Sequence, residues 1–165
     1  MVKSERMVTV LGIDPGTTRL GYALVEGPPS APRLITSGVI GDARAAQDAR
    51  LHLIFRELTK LFRDLKPDSV VLEKLFFAKN RKTALQVAEA RGIILLTAKI
   101  ANRRVYEYAP SEVKIAVTGN GAATKGDIAR IMKLLVGHTP TKYDDESDAV
   151  AIAITGLVSN HSLRN

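Results

Sequence analysis

The order in which strand-like and helical segments follow one another constrains the fold of this chain more than any other sequence feature. Three runs with strand character come first, at Val8–Ile13, Gly21–Val25 and Arg33–Ile40, and turn-rich segments separate them. Because these connections are short, strands 1 to 3 are predicted to form an antiparallel meander.

A long amphipathic helix then interrupts the strands. Apolar residues recur three and four positions apart from Leu51 to Leu65, which predicts one face turned to a core. Two further strands, Ser69–Glu73 and Val105–Tyr108, flank a helical segment from Asn80 to about Asn102. Strands joined through helices pair in parallel. We therefore predict an α/β fold, with a five-stranded mixed sheet, parallel at strands 4 and 5, flanked by helices on both faces.

Three helices complete the predicted order. They begin at Ser111, at about Lys125 and near Asp145, and the second runs to about Val136. Thr124 and Asp127 resemble a capping box, a pattern in which two residues three apart bond each other's backbone at a helix start.

The composition describes the expected setting of the protein. A chain of 165 residues, 45% of them apolar, suits a single domain spanning 1–165, with flexible termini at about 1–6 and 159–165. It contains no cysteine, so it has neither a disulfide nor a Cys-based metal site. The first residues, MVKSERMV, lack the apolar centre of a signal peptide, and no apolar stretch is long enough to span a bilayer. We expect a cytoplasmic protein with no membrane partner.

The charge balance is basic. Lys and Arg outnumber Asp and Glu by 24 to 17, a net charge of +7. This excess favours a polyanionic partner such as nucleic acid, although a basic protein that binds no nucleic acid fits it equally well.

Two predicted strands end in carboxylates, Asp14 and Glu73. If these strands are parallel neighbours, their ends lie about 4.8 Å apart. Asp145 and Asp148 stand three residues apart at the start of the last helix, a spacing that puts both on one helix face. Acids in a first turn also stabilise a helix through its dipole, so the second pair alone does not establish a site.

Four carboxylates in one cleft would repel each other and raise their pKa values unless a divalent cation joined them. Oxygen ligands without cysteine suit Mg²⁺ or Mn²⁺. We assign no catalytic role to the histidines, which are His52, His138 and His161. Two ions about 3.5–4 Å apart can hold the attacking and leaving oxygens of a phosphodiester. The pattern therefore predicts metal-dependent phosphodiester hydrolysis.

Four blocks of sequence resemble the RuvC family of Holliday junction resolvases, bacterial endonucleases with the RNase H-like fold. The blocks are LGIDPGTTRLGYAL, VVLEKLFFAKNRKTALQVAEARG, YAPSEVKIAVTGNGAATK and DESDAVAIAIT. The resemblance implies a catalytic and metal-binding tetrad of Asp14, Glu73, Asp145 and Asp148, with about two Mg²⁺ ions per site and Mn²⁺ able to substitute. The choice of Asp145 over Asp144 comes from the family pattern.

The resemblance also implies a substrate and partners. The family cuts four-way DNA junctions in recombination and repair, as homodimers that nick two opposed strands and leave a 5′-phosphate and a 3′-hydroxyl. A branch-migration complex of the RuvA–RuvB type is a further expected partner. The helix from Asn80 to Asn102 is apolar on every face, which fits a dimer interface or, alternatively, a central core helix.

Three cations, Lys79, Arg81 and Lys82, crowd the start of that helix. They oppose the helix dipole unless a phosphate binds there, so we predict DNA contacts, with a solvated charged loop as the alternative. By resemblance, Phe76 stacks on an unpaired base at the junction centre; the alternative is that Phe76 and Phe77 both lie in the core.

By resemblance, too, Lys114 and Lys125 match basic positions that the family uses near the scissile phosphate. Other readings stay open at this point. One is an RNase H-like nuclease acting on other branched DNA or on RNA, and another is a junction-binding module without activity. A third is an ATP-binding domain of the actin or sugar-kinase type, because GIDPGTTRLG is similar to the first phosphate-binding turn of that superfamily.

Overall fold

The computed structural model describes residues 7–75 and 81–159. The strands are β1 (Val8–Pro15), β2 (Leu20–Gly27), β3 (Arg33–Ile40), β4 (Ser69–Glu73) and β5 (Arg104–Tyr108). The helices are α1 (Gln47–Leu65), α2 (Arg81–Ile100), α3 (Pro110–Thr118), α4 (Lys125–Val136) and α5 (Asp144–Val158). Every predicted element is present, with ends shifted by at most a few residues. The expected flexible termini fall outside the described residues, apart from Ser159.

The strands form one mixed sheet in the order β3-β2-β1-β4-β5. β1 pairs antiparallel with β2, and β2 with β3. β1 also pairs in parallel with β4, and β4 with β5. The predicted mixed sheet is confirmed, and its central parallel pair brings the two strands that end in acids side by side.

Alternation along β1 and β4 divides their side chains between two cores. Val10 and Val71 face a core completed by α3, α4 and α5. The residues next to them in each strand face the opposite core, which α1 and α2 complete. Side chains two positions apart share a face of a sheet. Asp14 and Glu73 therefore lie on the same face as Val10 and Val71, which is the face covered by α5.

The helix enclosed on all sides is α5 and not α2. Every residue from Ala149 to Leu157 is buried. Helix α2 packs against α1 and leaves Leu85, Leu96 and Ile100 exposed. Within the single chain, α2 is thus not the central core helix that one of our readings expected, and its outer apolar face is open to a partner.

The predicted capping box at the start of α4 is confirmed. The Thr124 backbone N–H donates to Asp127 Oδ2 at 2.9 Å, and the Asp127 N–H donates to Thr124 Oγ1 at 3.2 Å. This cap fixes Lys125 at the first position of α4.

Among residues 7–75 and 81–159, the helices lack the length and apolar character needed to cross a membrane.

Candidate active site

The two strand-terminal acids lie on adjacent parallel strands at one end of the sheet. β1 and β4 pair as far as Ile13 and Leu72, and the next residue of each strand is Asp14 or Glu73. Both acids are half-buried. The parallel pairing of β1 with β4, which the sequence analysis gave only as a condition, is therefore what brings these two carboxylates together.

Two glycines let the start of α5 pack directly on the sheet. A Cβ on Gly12 would lie 2.3 Å from the Ala149 carbonyl oxygen, and a Cβ on Gly21 would lie 1.8 Å from the Asp145 carbonyl oxygen. No side chain fits at either position. Since Gly21 is paired with Asp14 across β1 and β2, this contact brings the first turn of α5 beside Asp14.

The electrostatics of Asp14 show that the four predicted acids lie near one another. The pKa of Asp14 is raised to about 8, first by burial and then by the negative charges of Asp148, Glu73 and Asp145. The positive charge of Lys125 acts in the opposite direction. We refer to Asp14, Glu73, Asp145 and Asp148 as the acid cluster.

The structure distinguishes the surroundings of Asp145 from those of Asp144, which the sequence pattern alone could not do. The Asp145 side chain is 24% exposed, and Arg19 Nε donates to its Oδ2 at 3.5 Å. The Asp144 side chain is 83% exposed and pairs with Lys125 Nζ at 3.3 Å. Asp145 is therefore turned toward the sheet, and Asp144 toward solvent.

Asp148 lies one helical turn after Asp145. Its side chain still reaches solvent, and partial burial of the carboxyl raises its pKa. Lys125 opposes this shift, and the charges of Asp144 and Asp145 add to it. The pKa of Lys125 is raised in turn, first by its hydrogen bond to Asp144 and then by the charge of Asp148. Lys125 thus supplies positive charge at the edge of the acid cluster.

The acid cluster has the chemistry of a divalent-cation site. All of its donors are carboxylate oxygens, the ligands that suit Mg²⁺ and Mn²⁺, and a cation would relieve the repulsion that raises the pKa of Asp14. As the side chains stand, no three His, Asp or Glu residues in 7–75 and 81–159 converge on one ion position. The donor set fits the ion, and the Asp145 carboxylate, now paired with Arg19, would complete the site by turning toward Asp14.

Arg19 is a site residue that our sequence analysis missed. Its guanidinium lies 4.5 Å from the centroid of the Tyr143 ring, within the range of a cation–π contact, and also pairs with Asp145. The only sign of this role in the local sequence was that Arg19 is a cation in the turn that follows Asp14. Its partner lies 126 residues further along the chain, so the pairing is not visible in the sequence.

His138 lies closer to the acid cluster than we expected, where it holds two segments of the chain together. It is 6% exposed, and its Nε2 lies 3.1 Å from Ser147 Oγ. Burial lowers its pKa, opposed by the charge of Glu146. Burial therefore favours the neutral imidazole, which ties the loop before α5 to the turn that carries Asp148.

The residues predicted to contact DNA are only partly described. Phe76 and Lys79 lie outside the described residues. For Arg81 and Lys82 the structure describes the helical backbone at the start of α2. The wedge and cation-cluster hypotheses therefore stay predictions.

Of the two remaining predicted contacts, only Lys125 lies beside the acid cluster. Lys114 is half-exposed on α3, which packs against α5. Its role near a phosphate stays a prediction.

Comparison with known proteins agrees with the four-block resemblance. Residues 10–156 match the family model described as Crossover junction endodeoxyribonuclease RuvC. The chain is 46% identical over 161 residues to the protein of that name from Petrotoga mobilis, covering 96% of this chain and 98% of the relative. It is 42% identical over 160 residues to the one from Brachyspira hyodysenteriae, covering 96% of each.

Solved structures show the same likeness. The structure of T. thermophilus RuvC in complex with Holliday junction substrate superposes with a TM-score of 0.84 at 30% identity, over 90% of this chain and 92% of that chain. The yeast mitochondrial Holliday junction resolvase Ydc2 superposes with a TM-score of 0.67 at 13% identity, over 93% and 79% of the two chains. The second match shows a likeness of fold alone.

Proposed function

This chain belongs to the crossover junction endodeoxyribonuclease RuvC family, and on that premise we propose that it resolves four-way DNA junctions by metal-dependent hydrolysis. One phosphodiester is cut in each of two opposed strands, leaving a 5′-phosphate and a 3′-hydroxyl, as a step of DNA recombination and repair. Family membership leaves the ATP-binding alternative without support.

The observation that supports the proposal is that three other carboxylates lie close enough to Asp14, near the end of β1, to act on it electrostatically. Asp14 is half-buried, and three other acids raise its pKa further. Such an arrangement costs folding stability unless a cation joins the charges. A role in binding a cation therefore explains the acid cluster better than a contribution to folding stability does.

Asp14, Glu73, Asp145 and Asp148 are proposed to hold two Mg²⁺ ions, with Mn²⁺ able to substitute. Bound there, the ions supply an activated water and neutralise charge on the scissile phosphate. The chain's part is to fix the ligands. Asp14 and Glu73 stand on the central strands of the sheet, and the Gly21 contact anchors Asp145 at the start of α5.

Lys125 is proposed to contact the scissile phosphate. It begins α4, next to the acid cluster, and its side chain is 78% exposed. Its present partner Asp144 is an exposed surface acid, and exposed ion pairs contribute only about 0–1 kcal/mol. An approaching phosphate can therefore replace Asp144 at little cost.

The proposed dimer uses the outer face of α2. Leu85, Leu96 and Ile100 are 68%, 52% and 65% exposed, and two-fold pairing of this face would bury them. A two-fold dimer places one active site on each of two opposed strands. The RuvA–RuvB-type partner, the cytoplasmic location and the contacts of Phe76, Lys79, Arg81, Lys82 and Lys114 belong to the same proposal.

Cleavage of a synthetic four-way junction tests the proposed function. We expect paired nicks in the junction with Mg²⁺, none with EDTA, and little cutting of a duplex or a fork of the same sequence. Preferential cutting of the fork, or of RNA, would replace this function with the related-nuclease reading. Activity of Asp14→Asn equal to wild type would remove the acid cluster from the mechanism.

A further inference from the structure

A cavity of about 270 Å³ opens between α4 and the start of α5, directly beside the acid cluster. Ile128, Ala129, Met132 and Pro140 provide most of its apolar lining. Its polar edge includes Lys125 and Asp148, which are parts of the proposed site. The cavity is therefore continuous with the place where we expect the scissile phosphate.

Building on the proposed function, we propose that this cavity receives one unpaired nucleobase next to the scissile phosphate. A nucleotide whose phosphate lies between Lys125 and Asp148 has its base within reach of the cavity mouth. An unpaired base at a branch point lacks the pairing that normally opposes extrusion, so taking it out of the stack requires less free energy.

The size of the cavity suits a single small ring. Sites for drug-sized ligands occupy about 300–1,000 Å³, so a cavity of about 270 Å³ holds one base and not a base pair. Met132, which is 2% exposed, forms a fixed apolar wall. Ala129, half-exposed, contributes only a methyl group and leaves the space open.

The chemistry of the mouth suits the edge of a base. Asp144, which a bound phosphate would displace from Lys125, also lines the mouth, so its carboxylate offers a hydrogen-bond acceptor that an amide oxygen could replace. Each base carries donors or acceptors on its Watson–Crick edge. The Ser147 hydroxyl lies 3.1 Å from His138 Nε2, and this contact fixes the side of the cavity formed by α5.

The test measures base extrusion and does not depend on cleavage. 2-Aminopurine is placed at successive nucleotides next to the branch point of a junction, and its fluorescence is followed on binding in EDTA. Because none of the described residues that line the cavity is aromatic, the inserted base loses its stacking quench. We expect the fluorescence to rise at one position with wild type and to rise much less with Ala129→Leu, which fills the cavity.

A matched control and a change in the DNA complete the experiment. Leu134→Ala alters a residue of α4 that is 77% exposed and outside the cavity, and it should give the wild-type signal. An abasic nucleotide at the responding position should weaken binding of the wild type about five-fold, the equivalent of ~1 kcal/mol. This second measurement uses the wild-type protein alone, so it does not depend on whether a variant folds.

Equal fluorescence with wild type and Ala129→Leu, no rise at any position, or unchanged affinity for the abasic junction would each overturn the base pocket. A chain that gives the expected fluorescence but cuts no junction with Mg²⁺ would overturn the proposed function and leave the pocket standing. A chain that does not bind the junction would overturn both.

Discussion

The backbone of Asp145 lies against Gly21 so closely that a Cβ on Gly21 would be 1.8 Å from the Asp145 carbonyl oxygen. Gly21→Ala should therefore push the start of α5 away from Asp14 and separate the acid cluster. Forcing a methyl group into a packed site costs about 1–3 kcal/mol, or about 2–4 °C of melting temperature for each kcal/mol in a domain of this size. We expect a lower melting temperature together with a loss of cleavage.

Gly121→Ala is the matched control for stability. Gly121 lies in the turn before α4, and a Cβ there would meet only the Ile115 side chain, at 3.4 Å. Replacing glycine by alanine where the backbone suits alanine stabilises by about 0.4–1 kcal/mol. If Gly21→Ala melted as high as Gly121→Ala and cut junctions normally, the close packing of α5 would not be what positions the site.

The raised pKa of Asp14 predicts how stability depends on pH in the absence of metal. The folded protein holds a proton on Asp14 up to about pH 8, whereas the unfolded chain releases it near the ordinary pKa of 3.8. The free energy of unfolding should therefore fall as pH rises between these values, and level off above about 8. Asp14→Asn removes this pH-dependent cost and should melt at least about 2–4 °C higher than wild type at pH 8 in EDTA, and no higher at pH 4.

Asp144→Asn is the control for this experiment. It removes a neighbouring acid whose side chain is 83% exposed, and exposed pairs change stability by only about 0–1 kcal/mol. Melting of Asp14→Asn at or below wild type from pH 5 to pH 9 would show that Asp14 is not under electrostatic strain.

Metal binding should release the proton from Asp14. A divalent cation requires the carboxylate form, so below about pH 8 it displaces the proton. We expect the Mn²⁺ affinity to rise about tenfold per pH unit from 6 to 7 and to level off above about 8. Calorimetry at pH 7 in buffers of different ionisation enthalpy should report about one proton released per wild-type site. The same proton count with Asp14→Asn would assign the proton to another group.

The two neighbouring acids at the start of α5 should differ in effect. Asp145→Asn removes a carboxylate that is turned toward the sheet and paired with Arg19. Losing an outer-shell partner of a metal typically costs about 10–100-fold in activity, and we expect the cleavage rate of Asp145→Asn to fall further than that. Asp144→Asn removes an exposed side chain and should retain cleavage within a few-fold. Single-turnover rates at saturating Mg²⁺ measure both, and the reverse order would move the ligand to Asp144.

Local signals predict most of this fold. Short apolar runs bounded by turn residues mark β1 and β4. The period of two in a strand explains why Asp14 and Glu73 share the face that α5 covers. Carboxylates after two strand-like runs are visible in the sequence, and a parallel pairing is sufficient to bring them together.

Contacts between distant segments were not predictable. Asp144 and Asp145 are equivalent by local rules, since both lie in the first turn of α5. Only the packing on Gly21 and the ion pair with Arg19 distinguish them. The cavity beside Lys125 depends on how α4 and α5 pack, and no periodicity contains that information. For helix α2 the sequence left two readings open, because an apolar composition does not tell whether a chain's own core or a partner covers the helix.

The exposed face of α2 predicts a dimer that one charge should disrupt. Leu96 is 52% exposed near the middle of that face, so Leu96→Glu changes little within the monomer but places a charge in the proposed interface. We expect wild type to sediment as a dimer at micromolar concentration and Leu96→Glu as a folded monomer that no longer makes paired nicks. Leu134→Glu, at a position 77% exposed on α4, is the matched control and should stay dimeric. A wild-type monomer, or dissociation by both variants, would remove α2 from the interface.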